Sequence, residues 1–498
     1  MNNSPVIIVG AGLAGLHAAC ILAREGLKTI VVEKNQQVGG YCSAYSADGY
    51  TFDIGATMLQ TPSVLTDALE ELGREPSDYL DLQPLDPIYR VSFDDGASLT
   101  FTRSVEQTAE NIAALSERDR AGFLRYMRDM ESLKRAFKQF FIARKHQSIW
   151  GYFSLSTLLL GRHLNPFHNV GRLMGKYFQD PRLKAAFSFQ VLYFGLPPHR
   201  CPALYGMVPY FEITQGVWYP RGGLNSVSKA LARIFQEEGG QLRLGDAVKE
   251  IIISGGSVRG VRLESGEVIE SERVISNADA VYTYLNLVKD GAVPSRYRRR
   301  VASYELSCSA VVALLGFPKA SGFDLLHHNF IIPRDPERAY HEIFKLNTMP
   351  TDLAAYLCCA TRTDESVAPH GSEGLYVLVP VPGRLSDGAS WEDRRETAVA
   401  SILAGLERRG LGGLKSELTF QKVFLPSDYE RTYNQPRGMG FGIQPTAWQM
   451  GPLRPSVRSP YVRGLYLTGA STNPGCGVPL VISSGRSAAR AVLTDSGR

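Results

Sequence analysis

Val6-Ile7-Ile8-Val9-Gly10-Ala11-Gly12-Leu13-Ala14-Gly15 stands at the head of the chain and decides how the rest is read. Four β-branched residues in a row mark a strand buried on both faces of a parallel sheet. A glycine-rich turn follows without a spacer. His17 to Glu25 then reads as a helix closed by Gly26, and Lys28 to Glu33 reads as a second buried strand ending in an acid. This is a complete βαβ unit for a dinucleotide. Gly10 permits the tight turn, Gly12 lets backbone N–H groups approach a pyrophosphate, and Gly15 lets helix and strand pack closely. The turn carrying Leu13 and Ala14 offers the positive end of a helix to the phosphates. Glu33, followed by Lys34, places a carboxylate where it accepts both ribose hydroxyls and repels a 2′-phosphate, which disfavours NADP.

At 498 residues the chain is about three times the usual single-domain length, so two intertwined domains are expected. Hydrophobic residues make up 44% and charged residues 21%, the balance of a globular protein, which excludes fibrous and disordered classes. The 54 Lys and Arg against 49 Asp and Glu leave only +5, too weak a bias for a nucleic-acid partner, so any membrane contact is local. The cysteines at 20, 42, 201, 308, 358, 359 and 476 are scattered, with no CxxC pair and no metal spacing. A reducing, cytoplasmic compartment and no metal site are expected. The apolar start from Val6 to Ala23 lacks a basic n-region and is broken by glycine, so neither a secretory signal nor a transit peptide is expected. No apolar run reaches the length of about 18 residues needed to span a bilayer.

Working outward, Leu59 to about Arg90 alternates helix-like pieces with proline turns, and Glu106 to Phe141 reads as mostly helical. Lys134 to Lys176 holds eight Lys or Arg, three His and no Asp or Glu, interleaved with Phe137, Phe140, Phe141, Trp150, Tyr152 and Phe153. Two readings stand for it: an interfacial segment lying in anionic headgroups at the inner face of the membrane, or an ordinary helical face packed on the core. Residues 216–285 return to the nucleotide domain through a helix from about Asn225 to Glu238 and short strands at Gln241 to Leu244 and Val248 to Ile253. Residues 286–439 alternate short strands with polar loops and one helix, Glu392 to Arg409.

The continuation Val38-Gly39-Gly40, then Gly49-Tyr50-Thr51-Phe52-Asp53-Ile54-Gly55 with Ala56 and Thr57, resembles the extended FAD fingerprint of the flavin amine oxidase and phytoene desaturase superfamily. Gly469-Ala470-Ser471-Thr472-Asn473-Pro474-Gly475-Cys476-Gly477-Val478-Pro479, between a strand and a helix from about Val481 to Leu493, is similar to the signature of bacterial and fungal type phytoene desaturases. Gly216 to Gly223 (GVWYPRGG) and Ser276-Asn277-Ala278-Asp279 match in order, so the resemblance covers essentially the whole chain. It implies an α/β fold: a Rossmann-like FAD-binding domain of glutathione reductase type (1–72, 216–285 and 440–498) with an inserted α+β substrate domain (73–215 and 286–439). It also implies that Val248 offers backbone contacts on the adenine side, that Asn277 belongs to the cofactor set, and that the C-terminal turn wraps the flavin ring. There the helix N-terminus faces the carbonyl where negative charge develops. One departure is Tyr41-Cys42, where relatives carry Arg after the glycine pair. Arg221 is read two ways, as a ligand to cofactor phosphate or as a surface charge. Cys476 in the ring-wrapping turn is read two ways, as a small packing residue, which is preferred, or as a thiol that tunes the flavin or is oxidised.

The implied chemistry is removal of hydride from an allylic CH2 of a long polyene to flavin, with a proton leaving the adjacent carbon. Glu212, four residues before the GVW turn, matches an acid in relatives and is read either as the proton acceptor or as a solvated surface acid. The sequence offers no Ser/His/Asp triad, metal cluster or P-loop, so catalysis rests on positioning and cofactor electrostatics. Three functions fit. The preferred one is a carotenoid desaturase that takes phytoene or a related polyene from the membrane and passes electrons to oxygen or quinone. The second is a redox cyclase or reductase of a polyene natural product, such as a polycyclic tetramate macrolactam precursor, supplied by NAD(P)H. The third is a polyene carrier in which FAD is structural.

Overall fold

A computed structural model of the chain describes residues 4–142 and 168–498. Most of the basic, aromatic block from Lys134 to Lys176 therefore lies outside the described residues. The first strand, β1 (Val6–Val9), lies at the centre of a five-stranded parallel sheet. Its neighbours are β2 (Thr29–Glu33) on one side and Arg273–Ser276 on the other, with Gln241–Leu244 and Leu465–Leu467 at the edges. Every residue of β1 and β2 is buried, as continuous β-branched runs require when both faces are covered.

One face of this sheet carries three helices, α1 (Leu13–Arg24), Asn225–Glu237 and Val478–Asp495, packed around Leu16, Leu231, Phe235 and Ile482. The opposite face is covered by an antiparallel hairpin and strand (Val248–Ser254, Ser257–Leu263, Val268–Glu270), which sets Ile251, Val261 and Leu263 against Ile7 and Val32. The two chain ends meet closely. A Cβ placed on Gly485 would lie 2.3 Å from the carbonyl oxygen of Ala14.

The second layer is a seven-stranded sheet in the order Phe420–Phe424, Ser309–Pro318, Ser372–Val381, Ala355–Cys358, His328–Ile331, Tyr89–Ser92, Ser98–Phe101. All its pairings are antiparallel except that between His328–Ile331 and Tyr89–Ser92. The helix Arg395–Arg408 covers one face. The hairpin Ala44–Ala47 and Tyr50–Asp53 reaches over from the nucleotide layer to the other, stacking Phe52 on Phe420 and packing Tyr50 against it at a tilt.

Leu59 to Arg90 differs from its sequence reading. Beside the helix Ser63–Glu71 and a 3₁₀ turn at Pro76–Asp78, it forms strands Leu59–Gln60, Leu82–Leu85 and the start of Tyr89–Ser92. The last of these alternates buried and half-buried residues, the two-residue period of a strand, and it pairs with the nearby Ser98–Phe101 and with His328–Ile331, more than two hundred residues away. The expected long helix is two, Val105–Leu115 and Glu117–Ile142, divided at Ser116, whose backbone is extended. Among the described residues, no helix is long and apolar enough to cross a membrane.

Candidate active site

A cavity of about 400 Å³ opens where the parallel strands end, in the position at which such sheets bind ligands. One end of it is polar and rich in glycine. Gly10, Gly12, Leu13 and Ala14 from the first turn line it, together with Glu33, Lys34, Gly39, Gly40, Tyr41, Gly55, Ala56, Thr57, Val248 and Asn277. From the C-terminus come Gly469, Ala470, Gly477, Val478 and Pro479. Gly15 does not line the cavity. It lies behind the first turn, where a Cβ would fall 2.4 Å from the carbonyl oxygen of Gly10, so its task is close packing. Gly12 is equally confined, with space for a Cβ ending 2.7 Å away at the Asn277 amide.

Glu33 is held in place by its own backbone neighbours. The Ala11 N–H donates to one carboxylate oxygen at 2.8 Å, and the Asn35 backbone and side-chain N–H groups donate to the other, each at 2.8 Å. Only 6% exposed, this carboxylate faces the cavity with acceptor capacity left for hydroxyl donors. Lys34 turns to the second layer, donating to the Arg431 carbonyl and to Asn434 Oδ1 at 2.8 Å each. Burial lowers the affinity of its ammonium for a proton.

At the other chain end, Ser484 ties the turn to its helix: the Gly469 N–H donates to its hydroxyl at 3.1 Å, and Thr472 meets it at 2.9 Å. No side chain caps the helix that starts at Val478, so its positive end is free to face a ligand. A glycine corridor, a ribose-sized acid and an uncapped helix start form a set that fits a flavin dinucleotide.

The opposite end of the cavity is apolar and aromatic, lined by Phe189, Leu192, Tyr193, Phe330, Tyr356 and Leu378. Phe189 and Phe330 stand 4.3 Å apart between ring centroids, and Phe330 and Tyr356 4.9 Å apart. The Tyr356 hydroxyl meets Thr57 Oγ1 at 2.5 Å and His328 Nδ1 at 2.8 Å, which fixes the ring where the polar and apolar ends join.

Besides Gly15, two of the residues read from the sequence lie outside the cavity lining. Arg221 does not reach the cavity: its guanidinium is half exposed and pairs with Asp81 at 2.8 Å and Asp364 at 3.6 Å, so it is a structural ion pair near the surface. Glu212 matches neither of its readings. It is 1% exposed, so it is no surface acid, and it does not line the cavity. The helix Val208–Gln215 turns it into the core, where Gln60 donates to one oxygen at 2.5 Å and the Tyr89 hydroxyl to the other at 2.8 Å. Burial pushes its carboxyl up to about 8, against the lowering by hydrogen bonds from Tyr89 and Gln60. It therefore stands behind the wall, neutral near pH 7, hydrogen bonded to Gln60, which lines the cavity. At the departure from the family pattern, Tyr41 lines the cavity, donates to the Met439 carbonyl at 3.0 Å and packs against Tyr433 with ring centroids 4.9 Å apart.

Arg454 was not legible as a site residue. It is 3% exposed and donates to the carbonyls of Ala470 at 2.7 Å, Ile443 at 3.0 Å and Thr472 at 3.0 Å, so a buried guanidinium shapes the C-terminal turn. Its partners are backbone oxygens, which leave no mark in a sequence.

The family of flavin containing amine oxidoreductases matches residues 13–493. The chain belongs to the flavin containing amine oxidoreductase family. It is 34% identical over 490 residues to the zeta-carotene-forming phytoene desaturase of Myxococcus xanthus, covering 98% of this chain and 94% of the relative. It is 32% identical over 496 residues to the 4,4'-diapophytoene desaturase (4,4'-diaponeurosporene-forming) of Staphylococcus haemolyticus, covering 98% and 99%. Among solved structures, an oxidoreductase from Methanosarcina mazei gives a TM-score of 0.64 at 17% identity, over 97% of this chain and 99% of that one. Putrescine oxidase bound to putrescine gives 0.63 at 17%, over 99% of each, so both share the fold. The chain is an FAD-dependent oxidoreductase of the carotenoid desaturase type, and the glycine-lined end of the cavity fits its cofactor.

Proposed function

We propose that the chain desaturates a long apolar polyene of the phytoene or 4,4'-diapophytoene class. One observation carries the reading: the nucleotide cradle and an aromatic, aliphatic pocket are two ends of one cavity. Among the described lining residues, the carboxylates are Glu33 and Asp279, both on the glycine side. The apolar end therefore offers a hydrocarbon shape and no carboxylate counter-ion, which suits a hydrocarbon chain better than an amine cation.

FAD supplies the two-electron acceptor when bound. Phe189, Phe330 and Leu378 hold the chain of the substrate and exclude water, Tyr356 and Thr57 fix the wall beside the cofactor end, and Glu212 braces Gln60 from behind. The tyrosine hydroxyls of Tyr193 and Tyr356 are held neutral, because burial pushes both well above their ordinary range. The residues act by positioning and desolvation. In this reading residues 73–215 and 286–439 form the substrate unit, the polyene arrives from a membrane surface through the block from Lys134 to Lys176, and oxygen or a quinone accepts the electrons. The activities of the relatives favour oxidation over the NAD(P)H-supplied alternative.

The test is aerobic incubation of the FAD-loaded protein with phytoene or 4,4'-diapophytoene in lipid vesicles, followed by chromatography with visible detection. Products with added conjugated double bonds support the reading. Recovery of both polyenes unchanged refutes it.

A further inference from the structure

Three buried metal-ligating side chains lie together outside the cavity, on adjacent strands of the seven-stranded sheet. His328 opens the strand His328–Ile331 and is the register partner of Cys358, which ends Ala355–Cys358. His327 precedes them, held by the Cys359 N–H donating to its carbonyl at 2.8 Å, and its ring lies 4.4 Å from that of His328 between centroids. One donor atom from each of the three lies within 4.8 Å of the others. His327, His328 and Cys358 are 5%, 0% and 5% exposed.

The hydrogen bonding of the two rings is one-sided. His327 Nδ1 meets the Thr363 hydroxyl at 2.7 Å, and His328 Nδ1 meets the Tyr356 hydroxyl at 2.8 Å. The Nε2 atoms of both are buried without a partner. An imidazole whose Nδ1–H is taken by a fixed oxygen presents a free lone pair at Nε2, the state in which histidine ligates a metal. Buried polar atoms without partners are rare in native proteins, and here two imidazoles that each carry one are clustered with a thiol, which calls for a common ligand.

We propose that His327, His328 and Cys358 form a binding site for a borderline transition-metal ion, with zinc the best match to two imidazoles and one thiolate. Hard cations prefer oxygen donors, whereas this set suits zinc or copper(I). Zinc at about 2.0 Å from nitrogen and 2.3 Å from sulfur separates its donors by about 3.5 Å, so side-chain movements on the order of 1 Å close the set. Binding replaces the thiol proton of Cys358 with the metal and releases that proton to solvent. The ion joins two neighbouring strands and, through His328, orients the Tyr356 hydroxyl at the wall of the cavity.

The test is elemental analysis of tag-free, FAD-loaded protein produced in zinc-supplemented medium, together with X-ray absorption at the metal edge. The expected result is about one zinc per chain with a sulfur neighbour at about 2.3 Å, falling to about a tenth or less in Cys358→Ser and His328→Gln when a ligand is lost. Copper in the same nitrogen and sulfur shell also supports the site. Wild-type protein holding neither metal after growth and refolding in its presence overturns the proposal. So does metal content unchanged in both variants. Should the variants lose flavin through misfolding, the wild-type absorption spectrum decides: a shell without sulfur refutes the assignment.

Discussion

Replacing Gly485 by alanine tests whether the two chain ends close one nucleotide domain. The new Cβ would lie 2.3 Å from the Ala14 oxygen and 3.1 Å from its carbonyl carbon. Ordinary contact begins at 3.4 Å, so the helices must part by about 1 Å, an overpacking that costs roughly 1–3 kcal/mol. Alanine in the middle of a helix returns about 0.5–1 kcal/mol of propensity. The steric term wins, because the struck atom belongs to the backbone of the first turn of α1 and cannot rotate away. That turn faces the cofactor, so the strain falls on FAD binding. A net loss of about 1–2 kcal/mol corresponds to roughly 5- to 30-fold weaker binding. The assay is fluorescence titration of the apoprotein with FAD, with thermal unfolding of both forms. Gly175→Ala is the control, since its Cβ would meet open space in the helix Val170–Tyr177 and it should gain about 0.5–1 kcal/mol. Unchanged FAD affinity and unfolding temperature in Gly485→Ala would refute the reasoning.

Three further outcomes are expected. Glu212 has its carboxyl raised from 4.5 to about 8 by burial, so the folded state holds its proton more tightly than the unfolded chain. Its contribution is full below about pH 4.5 and is lost as pH rises to about 8, at up to about 1.4 kcal/mol per pH unit. Thermal unfolding of Glu212→Gln across this window should show a flatter pH profile than the wild type, and parallel profiles would contradict the assignment. Arg454→Met strips the carbonyls of Ala470, Ile443 and Thr472 of their donor, which costs about 1–3 kcal/mol for each group left unsatisfied. Purified protein should retain little flavin, and full retention would show that the turn holds without the guanidinium. Glu33→Ala removes charge-assisted hydrogen bonds worth about 1.5–3 kcal/mol and should weaken FAD roughly 10- to 150-fold in the same titration. Equal affinity would mean that the acid does not face the ribose.

The nucleotide layer was legible because its signals are local. Buried strand, glycine turn, helix and terminal acid follow one another within the first 33 residues, and the C-terminal turn carries its glycines in one run. The features that escaped are long-range. The hairpin Tyr89–Ser92 and Ser98–Phe101 joins the seven-stranded sheet through His328–Ile331, and His328 meets Cys358 only through sheet register. Glu212 resembled a candidate base by its position before the GVW turn, yet the direction of its helix decides whether it faces cavity or core. Arg221 sits inside a matching motif but points to Asp81 and Asp364. A motif names a segment, and packing chooses the face that it presents.

The most direct measurement is an anaerobic half-reaction: FAD-loaded protein mixed with phytoene or 4,4'-diapophytoene in vesicles, with the flavin and polyene spectra recorded together. A desaturase loses the visible flavin absorption, with a matching amount of polyene gaining a longer chromophore. Flavin that stays oxidised in the presence of both polyenes, with no new chromophore, would contradict that assignment.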